Sequence, residues 1–149
     1  MAGWIPRRLH KGRNLLSSET TTTCTTAGTY YKISGTWTNG VSGHSFEADG
    51  SGKLTYVGDT GVSYLLIGNS DLSSDKVATV TYGLYKNGVL VTNFETPTDF
   101  ASANKIRSIG INNFITLNTH DYLEVYVKSS VDATTITHKT LNLTLLGDV

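Results

Sequence analysis

The strongest constraint on the fold of this chain comes from residues 104–146, where short strand patterns follow one another with hardly a helix-forming residue between them. Apolar residues alternate there with polar or aromatic ones at a period of two, and Asn, Asp and Gly separate the runs. Such spacing is typical of a small all-β sandwich. The alternation predicts these core residues: Leu123, Val125, Val127, Leu141, Leu143 and Leu145.

The composition agrees with an all-β domain of modest size. Of the 149 residues only 16% are charged and 38% hydrophobic, while Thr, Ser, Asn and Gly are abundant. Thr suits a half-buried pleated surface, and Asn and Gly suit turns. No window sustains a 3.6-residue apolar repeat, so helix should be almost absent. The predicted strands lie at about 29–38, 45–48, 53–57, 61–68, 76–86, 89–95, 105–111, 114–117, 121–128 and 134–146.

Two turn signals are strong. Asn87-Gly88 stands between two apolar runs and is the best short signature of a β-hairpin. The Asp-Gly-Ser-Gly sequence at 49–52 predicts a second chain reversal between strands.

The charge distribution divides the chain into two parts. Four basic residues and no acidic one precede Glu19, and the remainder holds eight basic and twelve acidic residues, a balance of −4. A basic arm on an acidic body favours docking onto an acidic surface, although a solvated tail has the same composition. We therefore predict an N-terminal anchoring arm and Thr-rich linker at 1–28 and a sandwich domain at 29–149.

The arm combines an apolar tip with basic residues, as peptides do that dock in an apolar pocket and are held by charge pairs. A large aromatic side chain anchors such an interface, and proline lowers the entropy lost when the segment is ordered. The predicted anchoring residues are Trp4, Ile5, Pro6, Arg7, Arg8, Lys11 and Arg13.

A second candidate surface lies opposite the predicted core of strand 121–128. Tyr122, Glu124 and Tyr126 point away from Leu123 and Val125. Aromatic side chains on an outer face suggest that another subunit covers them, whereas single exposed aromatics need no such explanation. We predict that these three residues lie near a subunit interface.

Motifs for catalysis or metal binding are weak. Asp59-Thr60-Gly61 matches the aspartic-protease tripeptide but lacks a second copy and the apolar strand that buries it, so a turn explains it better. The segment 50–53 lacks the glycine and the Ser or Thr of a phosphate loop. The four histidines lack metal-ligand spacing. We predict no catalytic residue, no metal site and no cofactor.

Three further features of the sequence indicate where in the cell the protein is expected. Cys24 is the single cysteine, so no internal disulfide forms, and its Thr-rich neighbours offer no base to activate it. No apolar run reaches the length of a membrane span or of a secretory signal core. We expect no membrane or nucleic-acid partner, and a product that stays in the cytoplasm where it is made unless an assembled particle carries it out.

The stretch from about 62 to 146 resembles the C1q/TNF-like jelly-roll modules of bacteriophage and other viral structural proteins. A Tyr-Lys-Asn-Gly-Val hairpin ends at Val89, and an Asp-Tyr-Leu-Glu-Val-Tyr-Val strand ends at Val127. Ser-Ile-Gly-Ile at 108–111 and Leu-Asn-Leu-Thr-Leu at 141–145 complete the pattern. The resemblance covers a little over half of the chain, and it implies a ten-strand, two-sheet jelly roll that forms homotrimers.

The resemblance also implies a role. The leading hypothesis is a virion structural protein, either a capsid decoration (cement) or a head-fibre protein, whose N-terminal arm holds the major capsid protein or another virion protein. The alternative is a tail-fibre or spike module that recognises a host-surface glycan. An enzyme such as an aspartic protease is a third hypothesis, which the motifs above do not favour.

Overall fold

The computed structural model describes residues 9–39, 45–59 and 61–148, and all regular structure in them is β-strand. The strands are β1 (Leu9–Leu16), β2 (Thr20–Cys24), β3 (Tyr31–Lys32), β4 (Trp37–Asn39), β5 (Phe46–Ala48), β6 (Leu54–Tyr56), β7 (Val62–Ser74), β8 (Ala78–Lys86), β9 (Val89–Leu90), β10 (Thr96–Phe100), β11 (Ile106–Leu117), β12 (Tyr122–Ser129) and β13 (Thr134–Asp148). The predicted near-absence of helix holds for the residues described.

Two antiparallel sheets form the sandwich. The six-stranded sheet has the order β11-β7-β13-β1-β4, with β2 also paired to β13. The seven-stranded sheet has the order β10-β8-β12-β6-β5, with β3 paired to β12 and β9 to β8. Since most neighbours are not consecutive in sequence, the chain crosses between the sheets repeatedly, as it does in a jelly roll.

The core lies between the two sheets, and the predicted core residues are in it. Each of the six predicted side chains is at most 2% exposed. The pattern of β7 shows the cause: buried and less buried residues alternate over its 13 residues, because successive side chains of a strand point to opposite faces. Aromatic rings fill the space near Phe46, Tyr56 and Tyr64, whose centroids lie 5.2–5.6 Å apart.

Both predicted turns are confirmed. Asn87 and Gly88 have φ angles of 53° and 78° and join β8 to β9 through the Lys86–Val89 pair, as a type I′ hairpin requires. In the second turn the Asp49 carboxylate accepts hydrogen bonds from the backbone N–H groups of Ser51 and Lys53, at 2.8 and 3.0 Å. The turn therefore fixes the pairing of β5 with β6.

The interpretation of residues 15–28 as an unburied linker is wrong. Thr20–Cys24 is strand β2, in which Thr22 and Cys24 are buried while their neighbours are not. The preceding strand, Leu9–Leu16, pairs with β13 over seven residues and with β4 over three. The Thr-rich composition that resembled a linker instead supplies the alternating side chains of a strand. The sandwich therefore begins well before residue 29.

Two smaller differences concern which segments form strands. The sequence did not predict β10, Thr96–Phe100, because Pro97 interrupts the strand pattern. The strand pairs with β8 at the edge of its sheet, a position that tolerates proline. The predicted strands 105–111 and 114–117 form one strand, Ile106–Leu117. Its Asn112 and Asn113 pair with Ile67 and Leu66 instead of forming a turn.

Candidate functional site

The predicted anchoring residues fall in two places. Trp4, Ile5, Pro6, Arg7 and Arg8 lie outside the described residues. The other two, Lys11 and Arg13, are in β1 and thus belong to the six-stranded sheet. Their backbone therefore belongs to the sheet and not to an arm outside it, since it pairs with Leu146 and Thr144 of β13. That these two side chains meet acidic groups of another protein stays a prediction.

Lys11 stands at one end of an apolar row on the outer face of this sheet. Strand pairing places Phe114 beside Leu65, Leu65 beside Leu146, and Leu146 beside Lys11. We call Phe114, Leu65 and Leu146 the outer apolar row, which ends at Lys11. The side chain of Phe114 is 69% exposed, and large aromatic side chains gain most when they are removed from water. The row lies at the same end of the sheet as Leu9, the first described residue.

The same face carries a polar groove of about 470 Å³ beyond the apolar row. The side chains of Asn69, Asp71, Ser108 and Asn142 line it, and the Ser108 hydroxyl donates to Asp71 Oδ1 at 2.5 Å. Exposed polar groups of this kind are satisfied by water and require no ligand.

The predicted interface residues Tyr122, Glu124 and Tyr126 lie on the outer face of the seven-stranded sheet, where β12 pairs with β8, β3 and β6. Within the chain they already have partners. Glu124 is 7% exposed, and its carboxylate lies 2.6 Å from Lys32 Nζ. The Lys53 ammonium lies 4.1 Å from the centroid of the Tyr122 ring. This face is thus more covered by its own side chains than the alternating pattern suggested.

Three tyrosine rings form a contiguous cluster on this face, which we call the tyrosine cluster: Tyr30, Tyr85 and Tyr126. The rings of Tyr85 and Tyr126 stack with centroids 3.9 Å apart, and Tyr30 meets Tyr85 edge-on at 5.7 Å. The Tyr30 hydroxyl donates a hydrogen bond to Glu95 Oε1 at 2.5 Å. Partial burial, and then this bond to a carboxylate, raise the pKa of Tyr30 above its ordinary value. The cluster is therefore uncharged at neutral pH.

A buried polar network crosses the core between the sheets. His138 is fully buried, with Nδ1 2.5 Å from Tyr82 Oη and Nε2 3.0 Å from Thr22 Oγ1. Tyr82 in turn lies 2.9 Å from Ser70 Oγ, which donates to the Thr140 carbonyl oxygen at 2.7 Å. Each hydrogen bond of this network has one donor and one acceptor if neutral His138 carries its proton on Nδ1. Nδ1–H then donates to Tyr82 Oη, and Nε2 accepts from the Thr22 hydroxyl. Burial lowers the pKa of His138 to about 4.

Metal-binding clusters are not found among the described residues. No group of three or more His, Cys, Asp or Glu side chains in that part of the chain could hold a metal ion. Cys24 is buried, and desolvation raises the pKa of its thiol to about 11, which disfavours the reactive thiolate. Asp59 is exposed in the connection between β6 and β7. Across the same ranges, no helix is long and apolar enough to cross a membrane.

Sequence reasoning missed the tyrosine cluster and the His138 network. Tyr30 lies just before β3, 55 positions from Tyr85, and Thr22 is 116 positions from His138. No local spacing connects such residues. A partial signal existed for His138, whose position in the alternation of β13 matches that of the buried Ile136.

Comparisons with known proteins identify the fold. No protein-family model and no curated protein sequence matches the chain. The structure is similar to that of Eiger TNF from S. frugiperda, with a TM-score of 0.61 and 10% identity over 95% of this chain and 92% of that one. It is also similar to murine APRIL at pH 5.0, with a TM-score of 0.57 and 16% identity over 87% of this chain and 98% of that one.

A third likeness is to part of a much longer protein, dimeric latent PorU from Porphyromonas gingivalis. It has a TM-score of 0.52 and 11% identity, and it covers 97% of this chain and 13% of that one. Identities this low show the fold alone. The sandwich is a TNF-like jelly roll, which confirms the predicted fold class.

Proposed function

We propose that this chain is a virion structural protein, a capsid decoration or head-fibre protein that is held on the particle by its N-terminal segment. The observation that carries the proposal is the position of Leu9, where β1 begins. Leu9 lies at the end of the six-stranded sheet where Phe114 is exposed and Leu65 is half-buried. Basic residues therefore precede an apolar surface at one end of the domain, which suits attachment to a larger assembly.

In this proposal, residues 1–8 contact the major capsid protein or another virion protein, with Trp4 and Ile5 in an apolar pocket. Arg7 and Arg8 would pair with acidic groups there. The sandwich would project from the particle, and the assembled virion would be its location.

Deletion of residues 1–8 should abolish binding to particles while leaving the domain folded, because it retains the whole of β1 and its pairing with β13, which begin at Leu9. The measurement is occupancy on particles assembled without the protein and then incubated with it, by gel and electron microscopy. Trp4→Ala with Arg7→Glu and Arg8→Glu should have the same effect. The matched control, Lys105→Glu at an exposed position, should bind like the wild type. Full occupancy of the deleted protein would place the attachment on the sandwich instead.

We further propose that the chain forms a homotrimer through the outer apolar row. Phe114 is 69% exposed, whereas Glu124 and Tyr126 of the predicted interface already contact Lys32 and Tyr85 in the same chain. Burial of an exposed aromatic ring between subunits contributes more to the free energy of association than side chains whose contacts are already made within one chain. That Tyr122, Glu124 and Tyr126 contact a second subunit stays a prediction, and the same experiment tests it.

Sedimentation velocity of the full chain at tens of micromolar should give a mass three times that of one chain. Phe114→Ser should shift the species toward monomer, whereas Tyr126→Ser should leave the trimer intact. The reverse result would place the interface on the seven-stranded sheet, as the sequence predicted. A wild-type protein that sediments as a monomer would refute the homotrimer.

A second candidate function, recognition of a host-surface glycan by a tail-fibre or spike module, is favoured by the tyrosine cluster. Half-buried stacked rings on an outer face are a feature of binding surfaces, since tyrosine offers a large contact area at low entropic cost. This function does not exclude attachment through the N-terminal segment.

A further inference from the structure

The tyrosine cluster lies on a rigid part of the molecule. Tyr85 and Tyr126 belong to β8 and β12, neighbouring strands that pair over seven residues. Directly beside Tyr126 in this pairing is Gly83, and Tyr30 lies above that glycine. A Cβ atom at Gly83 would approach Tyr30 Cε1 to 2.9 Å. The absence of a side chain at this position therefore allows the Tyr30 ring to rest close to the sheet.

The rings form a continuous surface. Tyr30 contacts Tyr85, and Tyr85 stacks on Tyr126 with 22° between the ring planes. All three residues remain partly exposed. Stacked rings on paired strands are held in place before a ligand arrives, so binding would cost little side-chain entropy.

The charges around the cluster compensate one another. Lys128 Nζ lies 3.4 Å from Glu95 Oε1 and 4.7 Å from the centroid of the Tyr30 ring. Lys32 pairs with Glu124 at 2.6 Å on the other side of the cluster. Each cation near the rings thus has its own carboxylate, which leaves no excess charge to attract a strongly charged ligand.

A small hollow adjoins the cluster at Lys128. It has a volume of about 180 Å³, and Thr79, Thr81 and Ser130 are among the residues that line it. Thr81 is paired with Lys128 across β8 and β12. The exposed lining of the hollow is almost entirely apolar. The polar groups beside the aromatic surface are therefore the Lys128 ammonium and the Glu95 carboxylate, which could donate hydrogen bonds to ligand hydroxyls or accept hydrogen bonds from them.

We infer that the tyrosine cluster, with Lys128 and Glu95 at its edge, is a binding site for a neutral saccharide. The apolar face of a sugar ring would pack on the ring surface that the Tyr85–Tyr126 stack leaves exposed, and its hydroxyls would bond to Lys128, Glu95 and the phenol groups. The compensated charges favour an uncharged glycan over a sialylated or sulfated one. This inference rests on the second candidate function and specifies its site and ligand class.

The test uses the full-length protein and an array of oligosaccharides of glucose, galactose and N-acetylglucosamine, with sialylated and sulfated glycans on the same array. We expect binding to one or more neutral glycans, confirmed by titration calorimetry with the best of them. Tyr126→Ser and Tyr85→Ser should each weaken that binding at least tenfold. Gly83→Ala should also weaken it, because the added methyl group displaces Tyr30 without removing a tyrosine.

The matched control is Ile106→Ser, which removes an exposed apolar side chain from a strand of the other sheet and should leave the affinity unchanged. Tyr126→Phe keeps the stack and should retain binding to within about fivefold, which separates loss of the surface from loss of folding. Preference for charged glycans, binding that Tyr126→Ser leaves intact, or binding to no neutral glycan on the array would overturn the inference. Attachment to particles, measured separately with the deletion of residues 1–8, would be unaffected by any of these results.

Discussion

Deletion of residues 1–14 is expected to unfold the protein at room temperature or to lower its melting temperature by more than about 10 °C, whereas deletion of residues 1–8 should shift it by less than about 2 °C. The larger deletion removes most of β1, which lies between β13 and β4 in the six-stranded sheet. Backbone hydrogen bonds contribute about 1 kcal/mol each, and six of the seven residue pairs with β13 would be lost. The total is comparable to the stability of a typical domain.

Thermal unfolding followed by circular dichroism measures the melting temperature of both deleted proteins. Two substitutions in β1 test the same point without changing the length of the chain. Gly12→Ala should destabilise the protein by about 1–3 kcal/mol, because the added Cβ would lie 2.6 Å from Phe46 Cδ2 in the core. Lys11→Ala, whose side chain is exposed, is the matched control and should be neutral. A protein lacking residues 1–14 that melts like the wild type would show that β1 is dispensable to the fold.

Acidification from pH 7 to pH 4 should reduce the free energy of unfolding by roughly 3 kcal/mol through His138 alone. Burial lowers the pKa of His138 from 6.5 to about 4 in the folded protein. Between these values the unfolded chain binds a proton that the folded chain does not, so stability rises with pH in this window and falls as the pH is lowered. Well above pH 6.5 the residue is neutral in both states and adds no pH dependence.

Denaturant titrations at pH 7, 5.5 and 4.5 measure the effect, and the His138→Gln variant isolates it from the titration of carboxylates. The variant should lose most of the pH dependence between 6.5 and 4.5, even if its stability at pH 7 is lower. His120→Gln, in an exposed turn, should behave as the wild type does. If wild type and His138→Gln lose stability in parallel on acidification, the imidazole is not held neutral by its site.

The tyrosine cluster and the outer apolar row divide the two outer faces of the sandwich between different tasks in our proposal. Phe114 would meet another subunit, and Tyr126 would meet a glycan. Phe114→Ser in the sedimentation experiment and Tyr126→Ser in the binding experiment therefore test the two tasks separately. Their combined results distinguish a structural trimer, a glycan-binding module and a protein that is both.

Local sequence was enough to predict the β-sandwich, its buried residues and its turns. Whether Val125 points inward is a property of a few neighbouring residues, because strands alternate with a period of two. Asn87-Gly88 carries its own turn geometry for the same reason, since both residues adopt positive φ readily. The same local view failed for Thr20–Cys24, where a strand and a linker have similar composition and only pairing with β13 separates them.

Only the tertiary structure showed the features that depend on contacts between segments far apart in the sequence. The pairing of β1 with β13 joins the two ends of the described chain, and it turns Lys11 from an arm residue into a sheet residue. Glu124 became buried because Lys32 of β3 lies 2.6 Å away, and Tyr30 reached Tyr85 because Gly83 leaves room for its ring. Periodicity records which face of a strand is apolar, but it holds no information on the partner strand, so neighbours across the sheet are decided only when the whole chain packs.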